Sequence, residues 1–389
     1  MHYLASRPEL VSPARMGRRI GYVQIGFIEL GTELAFRLGP TEEERMSRFA
    51  PAGLTLIAAV STLAPPPLAQ AVNSPITPPA PAGHNQMAAP AAQSPTAGAR
   101  LYDDLGSYHR RVTTRWGAAQ RWFDQGLRLA YAFNLEEAER SFRRAAEIDP
   151  KCAMCFWGVS LALGPHINLA ALPERTTAAH AAAVRAQALS RRASPVERAL
   201  IAATVCRSAD PAPSDPAGQT ALDQAYADAM RGVRRRFPDD PDVAALTAEA
   251  LMDLHPWDLW TADGQPKADT EEILGLLEWT LRHAPDHPGA NHYYIHAVEA
   301  SPHPEKALAS AGRIAKLIPG AAHVVHMPSH IYARVGRWEE ASAANRRAIV
   351  VDRGYLAQAG PLGFYPMYVA HNYQFLWPRR ASAVPRPAW

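Results

Sequence analysis

The sequence predicts an all-α fold, a solenoid of stacked helical hairpins over residues 101–377. Beyond residue 100, apolar residues recur at spacings of three and four, which is the period of an amphipathic helix, and no segment alternates convincingly as a strand does. The helical segments end at proline or glycine, as at Pro150 and Pro285. Ala307 and Ala341 stand in similar segments 34 residues apart, which indicates a repeated unit.

Two segments carry the repeat pattern most clearly. LEEAERSFRRA (135–145) and GRWEEA (336–341) resemble the second helix of a tetratricopeptide repeat, and the resemblance extends over about 270 residues, from 108 to 376. It implies that small alanines let paired helices approach closely and that the concave face of the stack binds ligands. The repeat from Pro238 to Pro285 is 13 residues longer than the period, and its excess lies in residues 255–267.

Composition and charge exclude several classes of protein. The chain has 389 residues, with 40 Lys and Arg against 37 Asp and Glu, and no basic tract is interleaved with aromatic residues, so no nucleic-acid partner is expected. Three cysteines are too few for a disulfide-built scaffold. The longest apolar run, residues 54–63, is too short to span a bilayer, so no membrane span is expected in the mature chain.

The N-terminal part of the chain carries an export pattern. The basic segment that begins at Met46 precedes an apolar stretch (49–63) and the sequence AQA (69–71), which together are typical of a signal peptide over residues 46–71. We therefore interpret residues 1–45 as an upstream extension and expect a periplasmic or secreted protein. The alternatives are a buried apolar helix in a genuine N-terminal domain, and a cytoplasmic protein if the upstream extension is translated.

Low-complexity segments flank the predicted array. Residues 65–95 contain nine prolines and eight alanines, so residues 72–100 are expected to be a disordered linker that buries too little apolar surface to offset its ordering entropy. Residues 378–389 form an irregular tail without a capping helix. This ending predicts a truncated array and self-association through its uncapped repeat.

Histidines are concentrated in one part of the array. Residues 283–330 hold eight of the 15 histidines, although an even distribution would place about two there. Three of the eight stand near predicted turns and are expected to be solvated: His283, His287 and His303. The other five have helical spacing.

Those five histidines fall into two sets with the same periodicity. His292 and His296 are four residues apart, with Glu299 three further on, so the three share one helix face. The second set is His323, His326 and His330. His292 lies 34 residues before His326, as His296 does before His330, so equivalent positions of neighbouring repeats should place these four imidazoles in a compact square.

Four imidazoles beside a carboxylate are a set of metal ligands. Nitrogen and oxygen donors suit Zn, Cu or Fe, and histidines four residues apart on a helix can bind one ion. Because no thiolate belongs to the set, an open site is expected rather than a closed structural zinc site. Glu299 or Glu249 is predicted to be a ligand or a base that acts on bound water.

Two other interpretations of the same residues remain open. In the first, the histidines line a groove and donate hydrogen bonds to a peptide, and His323, Glu249 and His371 extend this surface. In the second, some histidines are core residues with local partners. Binding of a protein or peptide partner is therefore the first predicted function, and a metal-binding protein or metalloenzyme is the alternative.

Pro328 interrupts the second histidine set, between His326 and His330. In a helix interior it removes an amide donor and costs roughly 3 kcal/mol. Either the helix begins later than the spacing suggests, or a kink lies between the two histidines.

The sequence around the cysteines favours a structural role for them over redox activity. CAMC (152–155) opens a predicted helix with the spacing of a redox pair, but a helix rather than a strand precedes it, which favours a simple disulfide or two packed thiols. Cys206 is predicted to be a buried apolar residue.

Three longer motifs resemble a group of bacterial tetratricopeptide repeat proteins: CAMCFWG (152–158), GANHYYIHAVEAS (289–301) and HMPSHIY (326–332). They are more specific than the general repeat pattern. The resemblance implies the repeat fold and export, and it implies a longer C-terminal part than this chain has. It carries no activity with it.

Overall fold

The computed structural model describes residues 96–360 and 363–376. The predicted upstream extension, the signal peptide, most of the linker and the C-terminal tail lie outside these residues. The described part of the chain forms fourteen α-helices: α1 Gly117–Tyr131, α2 Leu135–Ile148, α3 Ala153–Leu163, α4 Pro173–Leu189, α5 Pro195–Val205, α6 Pro216–Arg236, α7 Pro241–Met252, α8 Thr270–His283, α9 Pro288–Val298, α10 Leu308–Leu317, α11 Ala322–His326, α12 Pro328–Arg334, α13 Trp338–Ala359 and α14 Tyr365–Gln374.

The helices pack in sequential pairs. α1 lies against α2, α3 against α4, α5 against α6, α7 against α8 and α9 against α10, while α11 and α12 share the partner α13. Each hairpin also contacts the next one along the chain. This arrangement confirms the predicted all-α stack of hairpins. None of the described helices combines the length and the apolar character that a membrane span needs.

Local sequence explains where several helices begin. Asp215 and Asp240 each accept a hydrogen bond from a backbone amide three residues on, and proline occupies the first helical position after both. Ser194 and Glu197 form a complete capping box at the start of α5. Short polar residues followed by proline therefore set these boundaries.

Two glycines allow the first three helices to approach closely. Gly126 of α1 and Gly158 of α3 both face the ring of Phe142 on α2, which is fully buried. A Cβ atom would lie 2.7 Å from that ring at Gly126 and 2.3 Å from it at Gly158. The close contact of α1, α2 and α3 therefore depends on the missing side chains.

The N-terminal part of the described chain packs against the later repeats. α9 contacts α1 as well as its sequence neighbours. The amide of Gly320 donates to the carbonyl of Asp104 (2.7 Å), and the hydroxyl of Tyr108 donates to Asp242 (2.8 Å). Of the predicted linker, residues 96–100 are described, and the hydroxyl of Thr96 donates to Glu147 on α2. The helical histidines that the sequence places in an open groove, residues 292, 296, 323, 326 and 330, are buried within the chain itself.

The second histidine set contains a helix break. α11 ends at His326 and α12 begins at Pro328, with Met327 between them. The amide of His330 donates to the carbonyl of Met327 (3.2 Å) instead of continuing an unbroken helix. The helix therefore begins before His326, as the spacing suggests, and is interrupted between the two histidines.

Cys152 and Cys155 form a disulfide at the start of α3, where Cys152 is the N-cap residue. Both cysteines are buried, and their bond agrees with the disulfide that the sequence favours. Cys206 is exposed, so the prediction of a buried residue is wrong. It is the C-cap of α5 and lies at the surface where that helix ends.

Candidate metal centre

Six histidines form two groups of three, each with ring nitrogens close enough to share one ion. Triad A consists of His292, His296 and His323, and triad B consists of His326, His330 and His371. Within each triad, one nitrogen from every ring lies within 4.8 Å of those of the other two. Helices α9 and α11 supply triad A, and helices α11, α12 and α14 supply triad B.

The square predicted from the 34-residue spacing is divided between the two triads. His292 and His296, which are four residues apart, both belong to triad A, and His326 and His330 both belong to triad B. The two histidines that the sequence placed only in a ligand groove complete the groups, His323 in triad A and His371 in triad B. The ring centroids of His296 and His330 are 5.7 Å apart, so the triads are adjacent.

In triad A the Nε2 atoms converge. Nε2 of His292 lies 3.1 Å from Nε2 of His296 and 3.1 Å from Nε2 of His323. Two nitrogen ligands of a tetrahedral zinc ion, each about 2.05 Å from the metal, stand about 3.3 Å apart. All three side chains are buried. The observed spacing is therefore close to that of nitrogens that share an ion.

The opposite ring nitrogens of triad A fix two tautomers. Nδ1–H of His292 donates to the carbonyl of Tyr131 (2.7 Å), and Nδ1–H of His296 donates to Oε1 of Glu299 (3.1 Å). A neutral imidazole carries one proton, so both Nε2 atoms present lone pairs. Nδ1 of His323 is buried with no hydrogen-bond partner among the described residues, so its tautomer is not fixed.

In triad B, hydrogen bonds at Nδ1 fix the tautomers of two histidines in the same way. Nδ1–H of His326 donates to Oδ1 of Asn345 (2.5 Å), and the amide nitrogen of Asn345 donates to the carbonyl of Ala341 (2.9 Å), which orients that amide. Nδ1–H of His330 donates to Oε2 of Glu299 (2.6 Å). In the neutral form of both rings, the Nε2 atoms of His326 and His330 therefore carry lone pairs, and they lie 2.8 Å apart.

Lone pairs at these separations repel each other, and either a proton or a metal ion between the two nitrogens removes that repulsion. Histidines that bind metals usually donate their second ring N–H to a carbonyl or carboxylate, and four of these six donate theirs to an oxygen acceptor. Three imidazoles without a thiolate suit Zn, Cu or Fe and leave a coordination position open. Each triad could therefore hold a metal ion.

Burial favours the neutral, metal-binding form of His292, His323, His326 and His371. It is the largest cause that lowers the pKa of His292, His323 and His326 well below the usual value, and neighbouring imidazoles add to the effect. Burial also lowers the pKa of His371 to about 3.

Glu299 connects the two triads. Its oxygens accept hydrogen bonds from His296 and His330 on the sides of the rings away from the Nε2 atoms. Although burial alone would raise it, the neighbouring His330 and His296 hold the pKa of Glu299 well below its usual value. The sequence predicts a ligand or a base here, whereas the structure places this carboxylate where it orients one histidine of each triad.

Aromatic rings that sequence reasoning missed enclose both triads. The ring centroid of Phe133 lies 4.5 Å from that of His292, and the centroid of Phe375 lies 4.6 Å from that of His330. Phe133 occupies the turn between α1 and α2, with φ of 57°. Nothing in the sequence marks Phe133 or Asn345 as neighbours of the histidines, because each arrives from another part of the chain. Phe375 stands four residues after His371, and that helical spacing was the available signal.

Glu249, which the sequence places on the histidine face, lies outside both triads. Its Oε1 is 3.4 Å from Nη2 of Arg207, which also binds Asp253 and donates to the carbonyl of Pro165 (2.6 Å). In this cluster, burial and the neighbouring charge of Glu249 raise the pKa of Asp253. Glu249 therefore balances a buried guanidinium.

His287 is buried, so the prediction of a solvated residue is wrong. Its Nδ1 accepts from the amide of Ala290 as the N-cap of α9, and its Nε2 lies 3.2 Å from Asp242. His283 and His303 are exposed, as the sequence predicts. His287 stands immediately before Pro288, the first residue of α9, and this position in the sequence could have indicated a helix cap.

No protein-family model matches the chain, and no curated protein sequence matches it. The interpretation of the candidate metal centre therefore depends on its own geometry.

Proposed function

We propose that this protein binds two adjacent transition-metal ions, one in each triad, through the Nε2 atoms of its histidines. The observation that carries the proposal is the set of acceptors on the Nδ1 side: the carbonyl of Tyr131, the amide oxygen of Asn345 and both oxygens of Glu299. Each acceptor directs a lone pair toward the centre of a triad. Histidines packed only as core residues gain more from alternating donors and acceptors, because facing lone pairs in a dry site are costly.

The net charge of the centre with both metal ions bound indicates that it needs further anionic ligands. Among the described residues, Glu299 is the carboxylate that hydrogen-bonds to the triads, and imidazoles that bind a metal do so in their neutral form. Two divalent ions therefore leave a surplus of three positive charges in a buried place, which is unfavourable without further anions. Hydroxide or an anionic ligand at an open coordination position reduces this surplus.

The number of protein ligands supports a reactive ion over a purely structural one. Structural zinc sites are usually closed by four protein ligands, whereas catalytic sites keep three and leave one position for water or substrate. An ion held by three imidazoles can polarise a bound molecule or lower the pKa of bound water. Zn, Cu and Fe all suit such a ligand set.

We also propose that the hairpins are tetratricopeptide repeats of an exported protein. The 34-residue spacing of Ala307 and Ala341 supports the repeat class. The signal-peptide pattern over residues 46–71 supports export to the periplasm or the medium. The disulfide between Cys152 and Cys155 is consistent with an oxidising compartment.

Binding of a protein or peptide partner is the second candidate function. The helical-hairpin scaffold supports it, since such stacks present extended surfaces. Because the chain covers its own histidine face, a partner would dock elsewhere. The exposed side chains of Trp338 and Val350 on α13 favour that helix as the contact surface.

The metal content of the full chain tests the first proposal. We expect about two ions per chain by mass spectrometry, after purification without a metal-chelating tag and reconstitution with Zn, Cu or Fe. His292→Ala should remove the ion of triad A, and His326→Ala that of triad B. His303→Ala changes an exposed histidine and should retain both ions. Failure to bind any of the three metals, or equal losses in all three variants, would contradict the proposal.

A further inference from the structure

One phenylalanine ring contacts all three imidazoles of each triad. In triad A, the ring centroid of Phe133 lies 4.5 Å from that of His292, 5.8 Å from that of His323 and 6.1 Å from that of His296. In triad B, the centroid of Phe375 lies between 4.6 and 4.9 Å from those of all three histidines. A phenyl ring has no donor atom for a metal, so each triad has an apolar neighbour that contacts every one of its ligands.

Other aromatic rings continue this surround. The ring of Tyr368 lies 4.6 Å from that of His323, and the indole of Trp257 meets the ring of His296 edge-on at 5.1 Å, both measured between centroids. Each of the six imidazoles therefore contacts at least one aromatic side chain. In such apolar surroundings a net charge is costly unless an opposite charge lies beside it.

The negative charge beside the triads is that of Glu299, which accepts hydrogen bonds from His296 and His330. The other acceptors on the Nδ1 side are neutral: the carbonyl of Tyr131 and the amide oxygen of Asn345. Two divalent ions bring four positive charges against this one negative charge, whereas two monovalent ions bring two. The smaller surplus costs less in a buried place, so the charge of the centre favours monovalent ions.

The number of ligands favours the same kind of ion. Zinc in proteins is almost always bound by four ligands, so each triad would have to admit a water molecule or an anion beside its phenylalanine. Monovalent copper has a filled d shell and is satisfied by three ligands, and imidazole suits copper. It can therefore be held by three imidazoles in contact with a phenyl ring.

We propose that the two triads bind copper in its monovalent state, Cu⁺, in preference to divalent ions, and that each ion is held by three imidazoles without a further ligand. The inference rests on the proposed metal function and names the ion and its charge. Phe133 and Phe375 determine the preference by keeping a fourth ligand away, and Glu299 determines it by supplying one negative charge. Oxidation to Cu²⁺ is disfavoured, because it adds charge to the centre and Cu²⁺ prefers a larger, tetragonal set of ligands.

Two variants of the full chain allow each triad to be measured alone, since His326→Ala leaves triad A and His292→Ala leaves triad B. In each, the Kd for Cu⁺ is measured without oxygen by competition with bicinchoninate, and the Kd for Zn²⁺ by competition with a zinc chelator. The ratio of the two constants is the preference for Cu⁺. Adding Phe133→Ala should lower this preference about tenfold or more at triad A and leave it unchanged at triad B. Phe375→Ala should do the reverse, so each variant is the control for the other.

Glu299→Gln should change the preference in the opposite direction. The altered hydrogen bond to a histidine weakens both ions alike, whereas the lost negative charge costs Zn²⁺ about twice as much as Cu⁺. We therefore expect the preference for Cu⁺ to rise about tenfold or more at the affected triad. X-ray absorption at the copper edge of the unaltered chain, loaded with Cu⁺, should show three nitrogen ligands and no fourth light ligand.

The outcomes separate this inference from the metal proposal. Tighter binding of Zn²⁺ than of Cu⁺ by the unaltered chain overturns the preference and leaves the metal proposal standing. The same preference with and without the two phenylalanines, or a fourth light ligand on the bound copper, also overturns it. If a phenylalanine variant loses both ions from both triads through misfolding, the copper spectrum of the unaltered chain decides. Failure of the unaltered chain to bind either ion overturns both proposals.

Discussion

Oε2 of Glu299 lies 2.6 Å from Nδ1 of His330, which is 31 residues further along the chain. The other oxygen of the same carboxylate lies 3.1 Å from Nδ1 of His296. One buried side chain thus orients a histidine in each triad. The two proposed metal sites are joined by this carboxylate into one centre.

Replacing Glu299 by glutamine should weaken metal binding without emptying the centre. The amide offers one acceptor oxygen, so one histidine keeps its partner and the other meets an N–H group that favours the wrong tautomer. We expect a loss of affinity of about 10–100-fold at one site, measured by competition with a chelator. Glu305→Gln is the control, because Glu305 makes the same contact with the exposed His303 (3.2 Å). Unchanged affinity in Glu299→Gln would contradict the orienting role.

Two substitutions of Asn345 form a matched pair for triad B. Asn345→Asp keeps an oxygen acceptor for Nδ1–H of His326, whereas Asn345→Leu removes it. We expect Asn345→Leu to lose about 10–100-fold in affinity and Asn345→Asp to stay close to the unaltered chain. Metal retained after dialysis against a chelator measures the difference. Equal losses would show that Asn345 acts through packing and not through its oxygen.

Two glycine substitutions should change stability in opposite directions. Gly158→Ala should lower the free energy of unfolding by about 1–3 kcal/mol, because its Cβ would lie 2.3 Å from the ring of Phe142. Gly275→Ala lies in α8 with no atom within 4 Å of the added Cβ, so it should raise the free energy of unfolding by roughly 0.5–1 kcal/mol. Urea unfolding measures both. A stabilising Gly158→Ala would contradict the close packing of α1, α2 and α3.

Asp242 should make stability depend on pH. Although burial alone would raise it, Arg110 and His287 hold the pKa of Asp242 well below its usual value. Because the folded-state pKa is lowered, its stabilising contribution is complete above the unfolded pKa of about 3.9 and is lost as the pH falls through the folded-state value. Asp242→Asn should lower the free energy of unfolding by about 3–5 kcal/mol at neutral pH.

Urea unfolding of Asp242→Asn and the unaltered chain over a pH series measures this effect. The difference between the two chains should shrink below about pH 4, where the carboxylate of the unfolded chain becomes protonated. Asp239→Asn changes an exposed neighbour and should leave the unfolding free energy nearly unchanged. A difference that stays constant down to the lowest pH would exclude the ionised carboxylate as its cause.

The fold and the histidine pairs follow from local patterns in the sequence. Histidines four residues apart share a helix face whatever the tertiary packing, so His292 and His296 could be paired from spacing alone. The third member of each triad could not, because His323 and His371 reach their partners through the packing of α11 and α14. No periodicity in one helix determines which residue of another helix faces it.

The covered inner face could not be predicted either. Repeat resemblance predicts an open concave surface, but Phe133 in the turn between α1 and α2 packs on the imidazole of His292. A turn of three residues carries no signal for the side chain that it inserts. The position of Glu249 also depended on a distant partner, Arg207, whose charge the repeat pattern does not reveal.

X-ray absorption at the zinc edge of the full chain, loaded with zinc, tests the central claim most directly. We predict three imidazole nitrogens at about 2.0–2.1 Å from zinc, one additional light ligand and no sulfur. A shell of oxygen ligands without imidazole, or a zinc–sulfur distance of about 2.3 Å, would contradict binding by the two histidine triads.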